Sequence, residues 1–222
     1  MLRRICAALF CILFLASETR AQDTTSVVSL GPELLFGTAF PQFSPTPQPI
    51  TAFQIGARGY VPLNSNVALR LGASYRYLQI WGEPASYPFE FTGNYFFVAP
   101  ALRYKWVELG VEVGTPLGGF FKTHGSSLAD TASNLGSSDM APLVLGSLTG
   151  ILPIAKNDGN ELSLILSWSF QFSSNVMTKE FILHDPSSSL TTGGNLGPIE
   201  TVQVGLTWQF SLVRSDDDKR WR

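Results

Sequence analysis

Between Glu161 and Phe172 the chain reads ELSLILSWSFQF. Leu162, Leu164, Leu166, Trp168, Phe170 and Phe172 occupy one parity. Glu161, Ser163, Ser167, Ser169 and Gln171 occupy the other, with Ile165 the one apolar residue among them. A strand sends successive side chains to opposite faces, so the segment is a ribbon with one oily and one wet side. Few arrangements satisfy such a ribbon, and the choice among them turns on which solvent the oily side meets.

The same alternation recurs along the chain and predicts eight strands. They are expected near 27–36, 51–61, 67–79, 95–105, 107–115, 141–152, 161–172 and 201–212. The strand at 141–152 is apolar or small on both parities, so its register is not readable. Connections alternate between long and short. Those near 38–49, 81–94, 116–139 and 174–197 are long, while those after the second, fourth and sixth strands are short. This rhythm is expected of an outer-membrane barrel, with short periplasmic turns and longer outer loops. Strands of roughly 9–13 residues suit a tilted crossing of the hydrocarbon layer. With no water there to satisfy backbone groups, a spanning sheet must close on itself, and an even strand count lets it do so. The expected fold is all-β, an eight-stranded antiparallel up-and-down transmembrane β-barrel.

Charge then assigns the faces. Glu33, Arg58, Arg70, Arg76, Arg103, Lys105, Glu108, Glu112 and Glu161 fall on the wet parity. A Lys or Arg at the lipid midplane costs about 2–4 kcal/mol, so these nine are expected inside, as a paired network. An eight-stranded barrel is only wide enough to be filled by side chains, which predicts a plugged interior rather than an aqueous pore. Tyr75, Tyr77, Tyr104, Trp168, Trp208 and Phe210 are expected on the lipid side. Tyr60 and Trp106 are further candidates for the interfacial aromatics.

The start of the chain has the pattern of a secretory signal peptide at 1–21. Arg3 and Arg4 precede an apolar run from Ile5 to Ala16, and Thr19-Arg20-Ala21 offers a cleavage site. The run is shorter than the ~20 apolar residues of a spanning helix. Both cysteines, Cys6 and Cys11, lie in it, so the mature barrel of 22–213 would carry no disulfide. Residues 214–222 form a short charged tail, expected to be periplasmic. The destination implied is the cell outer membrane, after signal-peptide-dependent export. The mature chain has 12 basic and 16 acidic residues and no basic patch, so nucleic acid is not an expected partner.

Phe97-Val98-Ala99-Pro100-Ala101-Leu102-Arg103-Tyr104, Leu109-Gly110-Val111-Glu112-Val113-Gly114 and Val204-Gly205-Leu206-Thr207-Trp208-Gln209-Phe210 resemble strands of the eight-stranded outer-membrane barrel domains of the OmpA-like superfamily. The resemblance covers the mature chain as a pattern and rests on no single motif. It implies membrane lipid and lipopolysaccharide, the barrel-insertion machinery and an unknown extracellular partner of the outer loops as partners. It implies an anchoring or surface-contact role without a cofactor. The chain departs from the family in two ways: no peptidoglycan-binding domain follows the barrel, and SLVRSDDDKRWR follows Phe210 where such barrels usually end on an aromatic.

Chemistry-bearing residues are sparse. His124 and His184 fall in long connections, without metal-ligand spacing. His124-Gly125-Ser126 resembles the His-x-Ser pair of barrel lipid A deacylases, with Asp130 or Asp139 able to orient the base. That resemblance implies a lipid-modifying hydrolase as one alternative. Glu108 and Glu112 are four apart on a strand, about 13 Å, which is too far for a glycosidase pair. A third reading is a soluble lipocalin-like carrier, with the oily side inside and the charges outside. Alternation alone does not separate it from the membrane barrel.

Overall fold

The computed structural model describes residues 28–41, 52–82, 89–123, 131–157, 159–172, 176, 178, 181–185, 188–192 and 198–212. Eleven strands are present among them: β1 (Ser29–Pro41), β2 (Ala52–Pro62), β3 (Val67–Gly82), β4 (Phe89–Tyr104), β5 (Val107–Thr123), β6 (Thr131–Leu135), β7 (Leu143–Asn157), β8 (Asn160–Gln171), β9 (Phe181–Asp185), β10 (Ser188–Thr192) and β11 (Ile199–Ser211). Eight of these, β1–β5, β7, β8 and β11, pair antiparallel with their neighbours in the order β4-β3-β2-β1-β11-β8-β7-β5, and β4 pairs β5 to close the ring. β6 extends the sheet beside β5, and β9 and β10 form a separate hairpin.

The register of the ring can be followed once around. From Ser29 the paired residues run through Tyr60, Arg70, Ala101, Gly110, Ser147, Ser169 and Thr201 and return to β1 at Ala39, ten residues further on. That stagger, with ordinary strand rise and spacing, tilts the strands by about 40°. Every residue on the path faces inward.

The short connections lie at one end. Residues 63–66 link β2 to β3, and Lys105 and Trp106 link β4 to β5. β7 and β8 meet at Asn157 and Asn160, where Gly159 has φ +84 and so takes the backbone conformation that glycine adopts without strain. The first and last strands also meet at this end, where the Leu212 amide donates to the Val28 carbonyl at 2.8 Å.

Outside, the wall is apolar over the lower and middle height. Leu30, Leu34, Ile55, Leu69, Leu71, Val98, Leu102, Leu109, Val111, Val204 and Leu206 are all exposed. Along β11 and the residue after it this band runs from Val202 to Leu212, ten residue steps, or about 25 Å along the axis after tilt, which matches the lipid-facing band of an outer-membrane barrel. Aromatics flank it: Tyr104, Trp208 and Phe210 near the short-turn end, and Phe36, Tyr75, Phe96, Trp168 and Phe172 towards the other. Apolar side chains outside and buried Arg and Glu inside are the reverse of the lipocalin arrangement. The fold is a transmembrane barrel.

Five strands run further than their alternation predicts: β1 reaches Pro41, β7 reaches Asn157, and β3, β4 and β5 extend at their outer ends. β3, β4 and β5 are 16, 16 and 17 residues long. Above the lipid band the polarity of β3 and β4 inverts. On β3 the outward residues change from Leu71 and Tyr75 to Gln79, while the inward ones change from Arg70 and Arg76 to Leu78 and Ile80. On β4, Glu90, Thr92 and Asn94 face out, and Phe89, Phe91 and Tyr95 face in. The expected loops at 81–94 and 116–139 are therefore strand over much of their length. β6 and a short 3-10 turn at Ser137–Asp139 also fall within the second of them. A bulge marks the changeover: Asn94 pairs Gly118 and Tyr95 pairs Pro116, leaving Leu117 unpaired and exposed. The expected turn at 153–160 is likewise mostly strand, because β7 continues to Asn157.

Candidate functional site: the filled lumen

The lumen has two storeys. The lower and middle storey is polar. Arg58 lies between Glu33 and Glu108. Its Nε donates to Glu33 Oε2 at 2.6 Å, its Nη2 contacts the same oxygen, and its Nη1 stands 3.4 Å from Glu108 Oε2. The Tyr60 hydroxyl donates to Glu108 Oε1 at 2.6 Å. Gln54 bridges to the next level, donating to Glu33 at 2.9 Å and accepting from Arg76 Nε at 2.8 Å. Arg76 Nη2 then donates to Glu112 at 2.7 Å, and the Ser169 hydroxyl reaches the same carboxylate oxygen at 3.5 Å. One continuous tie thus joins β5, β2, β1, β3 and β8 across the lumen. Arg76 also lies over the Phe97 ring, 4.3 Å from its centroid.

The local sequence explains the tie. Arg58 and Tyr60, Arg70 and Arg76, and Glu108 and Glu112 keep even spacing on their strands, so each set shares the inward face. Small neighbours leave the room. Gly31 and Gly72 flank Arg58 in register. A Cβ on Gly114 would stand 2.5 Å from the Phe97 ring, so only glycine lets that ring lie flat on β5. Burial is close to complete: Arg58 and Arg76 are each 1 % exposed. Such charges are tolerable only paired, since removing one partner of a buried pair costs about 3–5 kcal/mol.

The short-turn mouth is wetter. Arg103 reaches Glu161 at 4.0 Å, stacks over Tyr60 at 4.9 Å and donates to the Lys105 carbonyl at 2.7 Å. Ser163 donates to Glu161 at 2.9 Å. Arg70 Nε lies 3.4 Å from Glu108, near enough for an ion pair but not aligned as a hydrogen bond.

The upper storey is apolar. Leu78, Ile80, Phe89, Phe91, Phe121, Leu135, Met140, Leu143, Leu145, Val176 and Ile199 form one buried cluster, bordered below by Tyr95 and Phe97. The segment near Val176 ties down the turn at 137–139. Ala141 donates to the Val176 carbonyl at 2.9 Å, and Thr178 donates to the Asp139 carbonyl at 3.0 Å. The lumen is thus crossed by a charged tie and capped by an apolar plug.

Eight of the nine residues expected in the lumen face it or its mouth. Lys105 does not. It sits in the two-residue β4–β5 turn with φ +53, and its Nζ lies 5.6 Å from the centroid of the outward-facing Tyr104 ring. Reading the fourth strand one residue too long put it on the wrong parity. Without it the lumen holds four guanidinium groups (Arg58, Arg70, Arg76 and Arg103) and four carboxylates (Glu33, Glu108, Glu112 and Glu161). Tyr60 is not an interfacial aromatic: it is buried against Arg58 and Glu108. Tyr75, Tyr104, Trp168, Trp208 and Phe210 are exposed on the outer wall, and Tyr77 lies half-buried on the same face. Sequence reasoning left out Gln54 and Ser169, although their parity was the signal that would have included them. His124, Ser126 and Asp130 lie outside the described residues. Asp139 accepts from the Gly136 amide at 2.9 Å.

No family model matches the sequence, and no curated protein does. Among solved structures, the chain is similar to Ail, the attachment invasion locus protein of Yersinia pestis, crystallised with the heparin analogue sucrose octasulfate. The identity is 11 %, over 84 % of this chain and 100 % of that one, with a TM-score of 0.42. It is also similar to Neisserial surface protein A, with 8 % identity over 83 % and 97 % and a TM-score of 0.39. A third is the outer membrane protease OmpT from Escherichia coli, with 10 % identity over 88 % and 100 % and a TM-score of 0.33. These likenesses are of architecture.

Proposed function

We propose that the protein is a non-enzymatic outer-membrane barrel, sealed through its lumen, that presents a water-facing extension at the cell surface for structural or surface-contact roles. The observation that carries this is the polarity inversion on β3 and β4. The same strands are built for lipid below the bulge and for water above it, so the long-connection end stands clear of the bilayer. The short-turn end, with both chain ends of the barrel, then faces the periplasm. Membrane lipid and lipopolysaccharide contact the apolar band. The barrel-insertion machinery places it there after signal-peptide-dependent export.

The partner of the outer end is a neutral or basic surface rather than a polyanion. The long connections read from the sequence carry Glu83, Glu90, Asp130, Asp139, Glu180 and Asp185 against only Lys122 and Lys179. Like charges repel within a Debye length, about 8 Å at physiological salt.

Orientation and activity are tested separately. A peptide tag inserted within 124–130 is expected to be stained on intact cells, and one inserted at Asp158 only after the outer membrane is permeabilised. The reverse staining would overturn the orientation. Replacing His124 by Asn is expected to leave the acylation pattern of lipid A unchanged, and an altered pattern would restore the hydrolase alternative.

A further inference from the structure

Lys105 takes a backbone conformation that a lysine does not favour. It is the first of the two residues in the β4–β5 turn, between the paired Tyr104 and Val107. Among the described residues it is the one residue other than glycine with a positive φ, +53. Two-residue hairpin turns that need a positive φ take Gly, Asn or Asp there. The conformation is held from both sides. The Lys105 amide donates to the Asn66 carbonyl of the neighbouring β2–β3 turn at 2.9 Å, and the Lys105 carbonyl accepts from Arg103 Nε at 2.7 Å. Strain that the surroundings hold in place in this way is a mark of function. Glycine would fill the turn without strain, so the function lies in the lysine side chain.

That side chain leaves the turn on the lipid side. Its Nζ lies 5.6 Å from the centroid of the Tyr104 ring, which is 57 % exposed at the lower margin of the apolar band. The exposed pair Leu102 and Leu109 stands directly above. Among the described residues Lys105 makes no ion pair. Arg103, the other cation of this strand end, is turned inward to Tyr60 and Glu161. The nearby carboxylates, Glu108 and Glu161, face the lumen and its mouth. Lys105 is thus an unopposed positive charge on the wall, at the level where acyl chains give way to headgroups. A lysine at such a boundary lays its stem on apolar surface and sets its ammonium among the headgroups.

We propose that Lys105 and Tyr104 form a binding site for an anionic phospholipid in the leaflet at the short-turn end. The ammonium holds the headgroup phosphate, and the Tyr104 ring lies against the glycerol end of the acyl chains. Tyrosine suits that level, because one end of its ring is apolar and the other wet. An ammonium with no carboxylate beside it on the wall matches a headgroup of net negative charge better than a zwitterionic one, whose own amine competes for the phosphate. The locked turn fixes where the side chain starts, so the lipid is held at one place on the rim. The choice of the periplasmic leaflet rests on the orientation proposed above.

Urea unfolding tests the site in two kinds of liposome, one of phosphatidylcholine and one in which part of it is replaced by phosphatidylglycerol with the same acyl chains. Phosphatidylglycerol is expected to stabilise the parent about fivefold more, in its folding equilibrium constant, than it stabilises Lys105→Gly, the worth of one basic side chain at an anionic surface. In phosphatidylcholine alone Lys105→Gly is expected to be no less stable than the parent, because glycine relieves the turn. A loss confined to phosphatidylglycerol is therefore not a folding defect. Lys105→Arg keeps the charge and is expected to keep the gain. Lys156→Gln is the control. Lys156 is exposed six residues beyond Gly150, the partner of Val107, and its replacement should leave the gain intact. Equal losses from Lys105→Gly and Lys156→Gln would mean diffuse attraction and would overturn the site. A gain in Lys105→Gly as large as the parent's would overturn it too. Both leaflets of these liposomes have one composition, so the result does not depend on orientation. Reversed staining of the tags on cells would move the site to the other leaflet without removing it.

Discussion

Arg58 bears most of the burden in the lumen. It sits 1 % exposed between two carboxylates that also accept from Gln54 and Tyr60. Glu33→Gln leaves its charge half-compensated in a buried site, and a loss of about 3–5 kcal/mol is expected in urea unfolding from liposomes. Adding Arg58→Met to that variant should restore much of the loss, since an apolar replacement of a buried pair is often neutral. A double variant as unstable as the single one would show that the tie is not what Glu33 supplies. Tyr60→Phe removes a hydrogen bond to a carboxylate, and about 1.5–3 kcal/mol should go with it in the same assay. Lys105 makes the complementary point. It reads as a fifth lumen cation, yet a two-residue turn sets it outside, and the remaining charges balance.

At the scale of the strand, what was legible in the sequence depended on the surroundings of each segment. Where lipid lies outside and charge inside, as along Val67–Arg76 and Thr201–Ser211, alternation is clean and the parity of every residue was readable. Where lipid lies outside and the plug inside, as at Leu143, Val144 and Leu145, both faces are apolar and the register disappears. Above the bulge the phase of the pattern reverses, so Phe89, Phe91 and Phe121 look like loop aromatics although they are buried in the core. The bulge has its own consequence. Deleting Leu117 removes the one unpaired residue, and a one-residue shift exchanges the two faces of the strand beyond it. Phe121 would then point to water and Lys122 into the plug. Limited proteolysis of the folded variant should cut at the outer end of β5 while the lower barrel stays protected. Protection equal to that of the parent would contradict the role given to the bulge.

For the molecule as a whole, three media meet along one set of strands: lipid around the lower wall, water around the extension, and a neutralised polar interior under an apolar cap. Introduced charge should be priced by height. Leu71→Arg lies mid-band on the outer wall, where a cost of about 2–4 kcal/mol is expected for insertion-coupled stability in liposomes. Gln79→Arg lies on the same face of the same strand, eight residues on and above the changeover, and should cost under about 1 kcal/mol in that assay. The boundary itself is most directly tested by spin labels placed singly at Leu71, Tyr75, Gln79 and Thr92 in liposome-embedded protein. Relaxation by oxygen, which concentrates in lipid, is compared at each site with relaxation by a water-soluble nickel chelate. Oxygen should dominate at Leu71 and Tyr75 and nickel at Gln79 and Thr92, with the reversal falling between Tyr75 and Gln79. Nickel dominating at all four sites would contradict a lipid-facing wall, and oxygen dominating at all four would contradict an extension standing in water.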